Sequence, residues 1–168
     1  MNIIGIFGEM GKGKTLTAVI LGLIYKQKGY EIYSNMKNFL DSKYIDDLDD
    51  LKDLDINTKR LLILDEIYVY IDSRNSSTKR NKAYSYLIFQ SRKRNFDIIY
   101  TAQLYSAVDK RLRNLTNIII EPEINLEKNI LKIKITKTNG TEKVYIIKNI
   151  NKYFKYYESN EIIEDDLK

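Results

Sequence analysis

The chain has no cysteine and no histidine. The first absence removes disulfides and thiolate metal sites, and the second removes imidazole as base or ligand. Any chemistry must come from carboxylates, hydroxyls, amides, lysine or arginine. Glycine and proline are scarce, at seven and one, and there is no internal repeat or low-complexity linker. No apolar run approaches the roughly 18 to 20 residues of a membrane span. Residues 1–7 lack the basic start and long apolar stretch of a secretory signal, so the sequence reads as a soluble protein kept inside a cell.

The 168 residues are 43% hydrophobic and 30% charged, an ordinary mixture for one globular domain. Net charge is +5, which weakly favours an anionic partner, and its distribution is uneven. Asp41 to Asp55 carries seven aspartates and two lysines, net −5, whereas Asp72 to Arg94 carries seven basic residues and one acid, net +6. One basic face or loop is expected rather than a uniformly basic surface.

Residues 2–7, Asn-Ile-Ile-Gly-Ile-Phe, form an apolar run suited to a buried parallel strand. Gly8-Glu9-Met10-Gly11-Lys12-Gly13-Lys14-Thr15 follows directly. From Thr15 to Lys28, Leu16, Val19, Ile20, Leu23 and Ile24 recur at helical spacing, with Gly29 as the stop. A G-x-x-x-x-G-K-[ST] sequence between strand and helix is a phosphate-binding loop. Its N–H groups and those of the helix start, including Leu16, face the phosphates, and its glycines let the backbone approach them. Lys14 is expected to reach the β- and γ-phosphates of ATP, and the Thr15 hydroxyl to ligate Mg²⁺.

Further strands are expected at Tyr30–Ser34, Arg60–Asp65, Asp97–Thr101 and Asn117–Glu121. Helices are expected in the acidic stretch 41–55, over Ala83–Arg94 and over Tyr105–Leu115. Two alternating runs, Ile130–Thr136 and Lys143–Ile147, flank Asn139-Gly140, a hairpin signal with positive φ in its turn. Residues 1–150 are read as one α/β domain including this hairpin, and 151–168 as an acidic tail.

The pair Asp65-Glu66 closes the apolar strand Leu61-Leu-Ile-Leu64. Such a strand delivers an acid to the metal's surroundings, which assigns Asp65 to magnesium and Glu66 to activation of the attacking water. Gln103, after the next strand, is placed to sense the γ-phosphate; as an isolated glutamine it would otherwise be a surface residue. Arg74, Lys79, Arg80 and Lys82, among Ser and Asn, have the composition either of a loop touching DNA phosphates without reading bases or of a solvated surface loop. Tyrosines 84, 86, 100 and 105 are read as core or interface residues.

The order G-E-M-G-K-G-K-T, then L-L-I-L-D-E, then S-R-K-R-N-F-D-I-I-Y-T-A-Q resembles the FtsK–HerA superfamily of DNA-pumping ATPases. The likeness is to viral genome-packaging ATPases and the related zonula occludens toxin-like phage assembly proteins, over roughly residues 1–120. It implies a RecA-like P-loop NTPase fold, a mainly parallel sheet flanked by helices, with the Gln103 strand between the phosphate-loop strand and the Asp65 strand. It also implies a homo-oligomeric ring, commonly hexameric, with nucleotide at subunit boundaries and Arg92 or Arg94 as the arginine finger; Arg111 and Arg113 are a second pair.

The expected function is an ATP-driven translocase of double-stranded DNA, acting without sequence specificity and loading a viral genome through a capsid or portal vertex in the infected cell's cytoplasm or on the virion. The alternative is export of a filamentous particle by a toxin-like assembly ATPase. Those relatives usually carry a membrane anchor, and none is visible here, which puts packaging first. A P-loop kinase or GTPase is the third class; no N-K-x-D guanine signature occurs, and Glu66 has the position of a hydrolytic base.

Overall fold

The computed structural model describes residues 1–45, 51, 54, 55, 57–67, 91, 93 and 95–158. Eight strands form one sheet in the order β3-β2-β4-β5-β1-β6-β7-β8. They are β1 (Ile3–Phe7), β2 (Glu31–Ser34), β3 (Lys43–Tyr44), β4 (Arg60–Leu64), β5 (Phe96–Ala102), β6 (Ile118–Asn125), β7 (Ile130–Lys137) and β8 (Glu142–Lys148). The six strands from β3 to β6 pair in parallel, and β6-β7-β8 is an antiparallel meander. This is an α/β fold with β5 between β1 and β4, the RecA-like order implied by the resemblance.

β1, β4 and β5 are buried along their whole length, which is why their sequences are continuous apolar runs rather than alternating ones. The sheet separates two cores. On one face Ile4, Ile6, Ile63, Ile99 and Ile120 meet Leu16, Val19 and Ile20 of helix α1 (Lys14–Gln27). On the other, Phe7, Leu62, Ile98 and Tyr100 meet Val108 and Leu112. Helix α1 ends in a Schellman turn: Tyr30 N–H reaches the Tyr25 carbonyl, Gly29 has φ 81°, and the Tyr25 and Tyr30 rings meet edge to face at 4.8 Å.

Gly5 is needed for a close approach. A Cβ there would lie 2.6 Å from Phe7 Cε2 and 2.7 Å from the Tyr100 hydroxyl, which is itself fixed to the Thr116 hydroxyl at 2.7 Å. Neither ring can withdraw without disturbing the core. Gly5→Ala should therefore destabilise the fold by about 1–3 kcal/mol, read as a lower urea midpoint; an unchanged midpoint would contradict this packing.

The helix expected over Tyr105–Leu115 is interrupted. Tyr105–Ala107 is a 3-10 turn and α2 (Lys110–Leu115) starts afresh, because the Asp109 side chain accepts from Arg111 N–H and caps a new helix. Strand β6 runs four residues beyond the expected Glu121. Pro122 suggests a strand end, but it lies past Ile120, the last residue paired with β1, where only β7 is a neighbour. The β7–β8 turn has positive φ at Gly140.

A 3-10 helix, Ile150–Tyr156, continues the packed chain through the start of the segment read as a tail. Ile150 is fully buried and Leu40 N–H donates to the Tyr156 carbonyl at 3.0 Å. Residues 46–50, 52 and 53 of the acidic stretch, nearly all of the helix expected over Ala83–Arg94, Tyr84, Tyr86 and the remaining tail lie outside the described residues. Tyr100 is fully buried and Tyr105 is 41% exposed.

Candidate functional site

The phosphate loop spans the end of β1 and the start of α1. Gly11 and Gly13 have φ 75° and 91°, the left-handed region that costs a residue with a Cβ. At Gly13 a Cβ would also come within 3.0 Å of Leu131 and 3.3 Å of Ile124, so the absence of a side chain lets the loop seat against β6 and β7. Helix α1 has no side-chain N-cap and no acid in its first turn. Its leading N–H groups are thereby left to an external anion.

Lys14 is 7% exposed and its Nζ donates to the Glu9 carbonyl across the loop at 2.9 Å. Leu16 is buried in the core, so its contribution to a ligand is limited to its backbone N–H, whereas Met10 is 66% exposed at the loop surface. Gly8, Glu9 and Lys12 border a cleft of about 570 Å³ that extends to Glu121, Glu123, Lys132 and Val144 of the meander.

Asp65 stands where β4 ends, two strands from the loop. Thr15 Oγ1 donates to Asp65 Oδ2 at 3.4 Å, so the two groups read as metal ligands meet. Among the described residues no cluster of three or more acidic side chains could hold a metal by itself. One carboxylate beside one hydroxyl instead fits magnesium, which takes few protein ligands and completes its shell with phosphate oxygens and water.

Two residues that the sequence reading missed hold this acid pair. Thr101 Oγ1 donates to Asp65 Oδ1 at 2.6 Å and accepts from Glu66 N–H at 2.9 Å. Asn35 clamps the Asp65 backbone, its Oδ1 accepting from Asp65 N–H and its Nδ2 donating to the Asp65 carbonyl, both at 2.9 Å. Glu66 itself has φ 50°, strained for a residue with a side chain, and the Thr101 bond to its N–H holds that conformation. The signal available was positional: Asn35 follows β2, Thr101 is the last residue but one of β5, and both strands flank β4.

Thr101→Val keeps the shape but leaves the Glu66 N–H and one Asp65 oxygen without this partner. An unsatisfied buried group costs about 1–3 kcal/mol. The expected result is a turnover loss of roughly tenfold or more with nucleotide affinity nearly retained, reversed by Thr101→Ser; equal rates in Thr101→Val would contradict this positioning role.

Gln103 is exposed directly after β5. Because β5 lies between β1 and β4, it leaves the sheet at the same end as Gly8 and Asp65. Arg111 is held by Asp109, with Nε on Oδ1 and a terminal nitrogen on Oδ2, both at 3.0 Å. That guanidinium keeps the Asp109 carboxyl below its usual pKa. Arg113 stacks on the Tyr105 ring at 5.4 Å. Arg92, Arg94, Arg74, Lys79, Arg80 and Lys82 lie outside the described residues.

The family described as Zonular occludens toxin (Zot) matches residues 35–162. The chain belongs to the Zot family. The matched span contains Asn35, Asp65, Glu66, Thr101 and Gln103 and begins after the phosphate loop. The solved N-terminal domain of zonular occludens toxin from Neisseria meningitidis is similar at 18% identity and TM-score 0.64, covering 94% of this chain and 98% of that one.

The genome packaging NTPase B204 from Sulfolobus turreted icosahedral virus 2, solved with ATP-gammaS, is similar at 13% identity and TM-score 0.60, covering 86% of this chain and 96% of that one. EssC (ATPases 2 and 3) from Geobacillus thermodenitrificans is similar at 13% identity and TM-score 0.59, covering 98% of this chain and 42% of that one. At these identities the structures show a shared RecA-like P-loop fold. No curated protein sequence matches the chain. Among the described residues no helix is long and apolar enough to cross a membrane.

Proposed function

We propose that this chain is a magnesium-dependent ATP hydrolase that drives assembly of a phage or viral particle by moving DNA through a ring of its own copies. The observation that carries the reading is the junction of Thr15, Asp65, Thr101 and Glu66 beside an uncapped helix start. Lys14 and the loop N–H groups bind the phosphates, Thr15 and Asp65 hold magnesium, and Glu66 accepts the proton of the attacking water. A magnesium ion held by these two side chains would supply charge neutralisation to the bound phosphates. Gln103 contacts the γ-phosphate end, and the cleft at Glu121, Glu123 and Lys132, on the side of β1 away from Asp65, takes the nucleoside.

A neighbouring copy supplies the arginine, Arg92 or Arg94, that stabilises the transition state. Arg111 is the weaker choice, being already engaged by Asp109 in its own chain. Arg74, Lys79, Arg80 and Lys82 contact the DNA backbone. Duplex DNA should raise the ATPase rate of the assembled protein, less so as salt rises, since each phosphate contact releases counterions. A rate indifferent to DNA of any kind would remove the motor reading.

Two forms of that motor fit the same engine. Loading a genome into a capsid through a portal-vertex protein, in the host cytoplasm or on the virion, is supported by the fold shared with a packaging NTPase. Export of a filamentous particle is favoured by the Zot match over residues 35–162. Co-fractionation with host membranes supports export, and co-purification with a capsid vertex supports packaging.

A further inference from the structure

The largest concentration of positive charge among the described residues lies in the second half of the meander and the segment that closes it. Residues 128–157 contain eight lysines and one acid, Glu142, net +7. They form the β7–β8 part of the meander and the closing 3-10 helix. Where that helix ends, it meets the loop after β2 and encloses a cleft of about 550 Å³ lined by Lys37, Ser42, Tyr44, Lys155 and Tyr156.

The cleft has features that core packing alone does not require. Lys37 lies 5.7 Å above the Tyr44 ring and Lys155 5.1 Å above the Tyr156 ring. Tyr44 is 46% exposed. Ser42 Oγ is buried at the cleft wall with no hydrogen-bond partner among the described residues. Asn38, Leu40 and Asp41 all have φ near 50°, strained for side-chain-bearing residues, and the loop is pinned in that shape by Leu40 N–H on the Tyr156 carbonyl.

One acid, Asp41, also lines the cleft and pairs with Lys26 at 3.3 Å on the surface, and Glu158 accepts from Asn38 Nδ2 at 3.2 Å. An ammonium beside the exposed Tyr44 ring, with Lys155 across the cleft, suits a phosphate followed by an unpaired base, the ammonium groups taking the backbone and the Tyr44 ring stacking the base. A duplex hides its base faces and cannot use the ring.

We infer that the cleft formed by Lys37, Ser42, Tyr44, Lys155 and Tyr156 binds single-stranded DNA, as a contact separate from the residues 74–82. This rests on the reading that DNA is what the motor moves. The site would hold strand that is unpaired on entering or leaving the ring.

The test uses the full chain and a fluorescein-labelled oligo(dT) followed by anisotropy across a salt series, with Lys37→Gln/Lys155→Gln and Tyr44→Ala as variants and fluorescent ATP binding as the folding control. Loss of two phosphate contacts should lower the salt slope by about 1.4 and weaken binding at low salt. Tyr44→Ala should weaken it roughly tenfold, with ATP affinity unchanged in both. Oligonucleotide affinity and slope equal to wild type in both variants would overturn the inference. So would loss of binding to phosphatidylserine vesicles alone, with oligonucleotide binding intact. Failure of the wild-type chain to bind or respond to any DNA would instead remove the motor reading on which the inference rests.

Discussion

Glu66→Gln should stop ATP turnover while leaving ATP bound. Glutamine has nearly the same volume and retains an oxygen to orient water, but it cannot take a proton. General-base catalysis contributes about 10²- to 10⁴-fold, so kcat is expected to fall at least about 100-fold. Phosphate binding is unaffected because Glu66 lies at the end of β4, beyond Asp65, and contributes nothing to the loop that starts α1. Its N–H bond to Thr101 and left-handed backbone survive the exchange. Single-turnover hydrolysis with fluorescent ATP titration checks both halves; a variant that still turns over would assign the base elsewhere.

Lys14→Ala should fail differently, losing affinity and turnover together. Lys14 is a cation buried inside the loop, held toward its centre by the Glu9 carbonyl. A charge-assisted contact in a partly dehydrated site is stronger than its counterpart in water. Removing one donor aimed at developing charge costs about 10²- to 10³-fold in rate. The expected result is weaker ATP binding and a kcat/KM lower by at least that factor, with the urea midpoint close to wild type. Lys14→Arg should not rescue it, because a planar guanidinium does not reproduce a compact ammonium. Normal ATP affinity in Lys14→Ala would show that the loop is not the nucleotide site.

The loop from Gly8 to Thr15 was legible because all its parts are adjacent: apolar strand, glycines, lysine, hydroxyl, helix. Asp65-Glu66 was legible as the end of an apolar run. The position of β5 between β1 and β4 was implied by resemblance alone, since strand order is not written in any one segment. Asn35 and Thr101 escaped notice for the same reason. Each is an ordinary polar residue at a strand end, and its meaning comes from neighbours 30 and 36 positions away.

Elsewhere, local rules misled. A helical pattern over Tyr105–Leu115 ignored the capping carboxylate of Asp109, which ends one turn and starts another. Residues 151–157 are grouped with the tail although the acidic run starts only at Glu158, and Ile150 and the rings that follow pack on the α1 face of the sheet. In sequence, basic charge stands out in the dense cluster of residues 72–94; the larger excess over 128–157 is spread across two strands and a 3-10 helix, and becomes a surface only when these fold together.

In the proposed motor, ATP bound at Lys14 and hydrolysed through Glu66 moves DNA through a ring. Electron microscopy of Glu66→Gln with ATP, magnesium and duplex DNA tests it most directly, because the variant should hold the pre-hydrolysis state. The expected image is a closed ring around the duplex, with nucleotide at each subunit boundary and an arginine of one copy facing the phosphates of the next. Single copies with ATP bound and no DNA would contradict it.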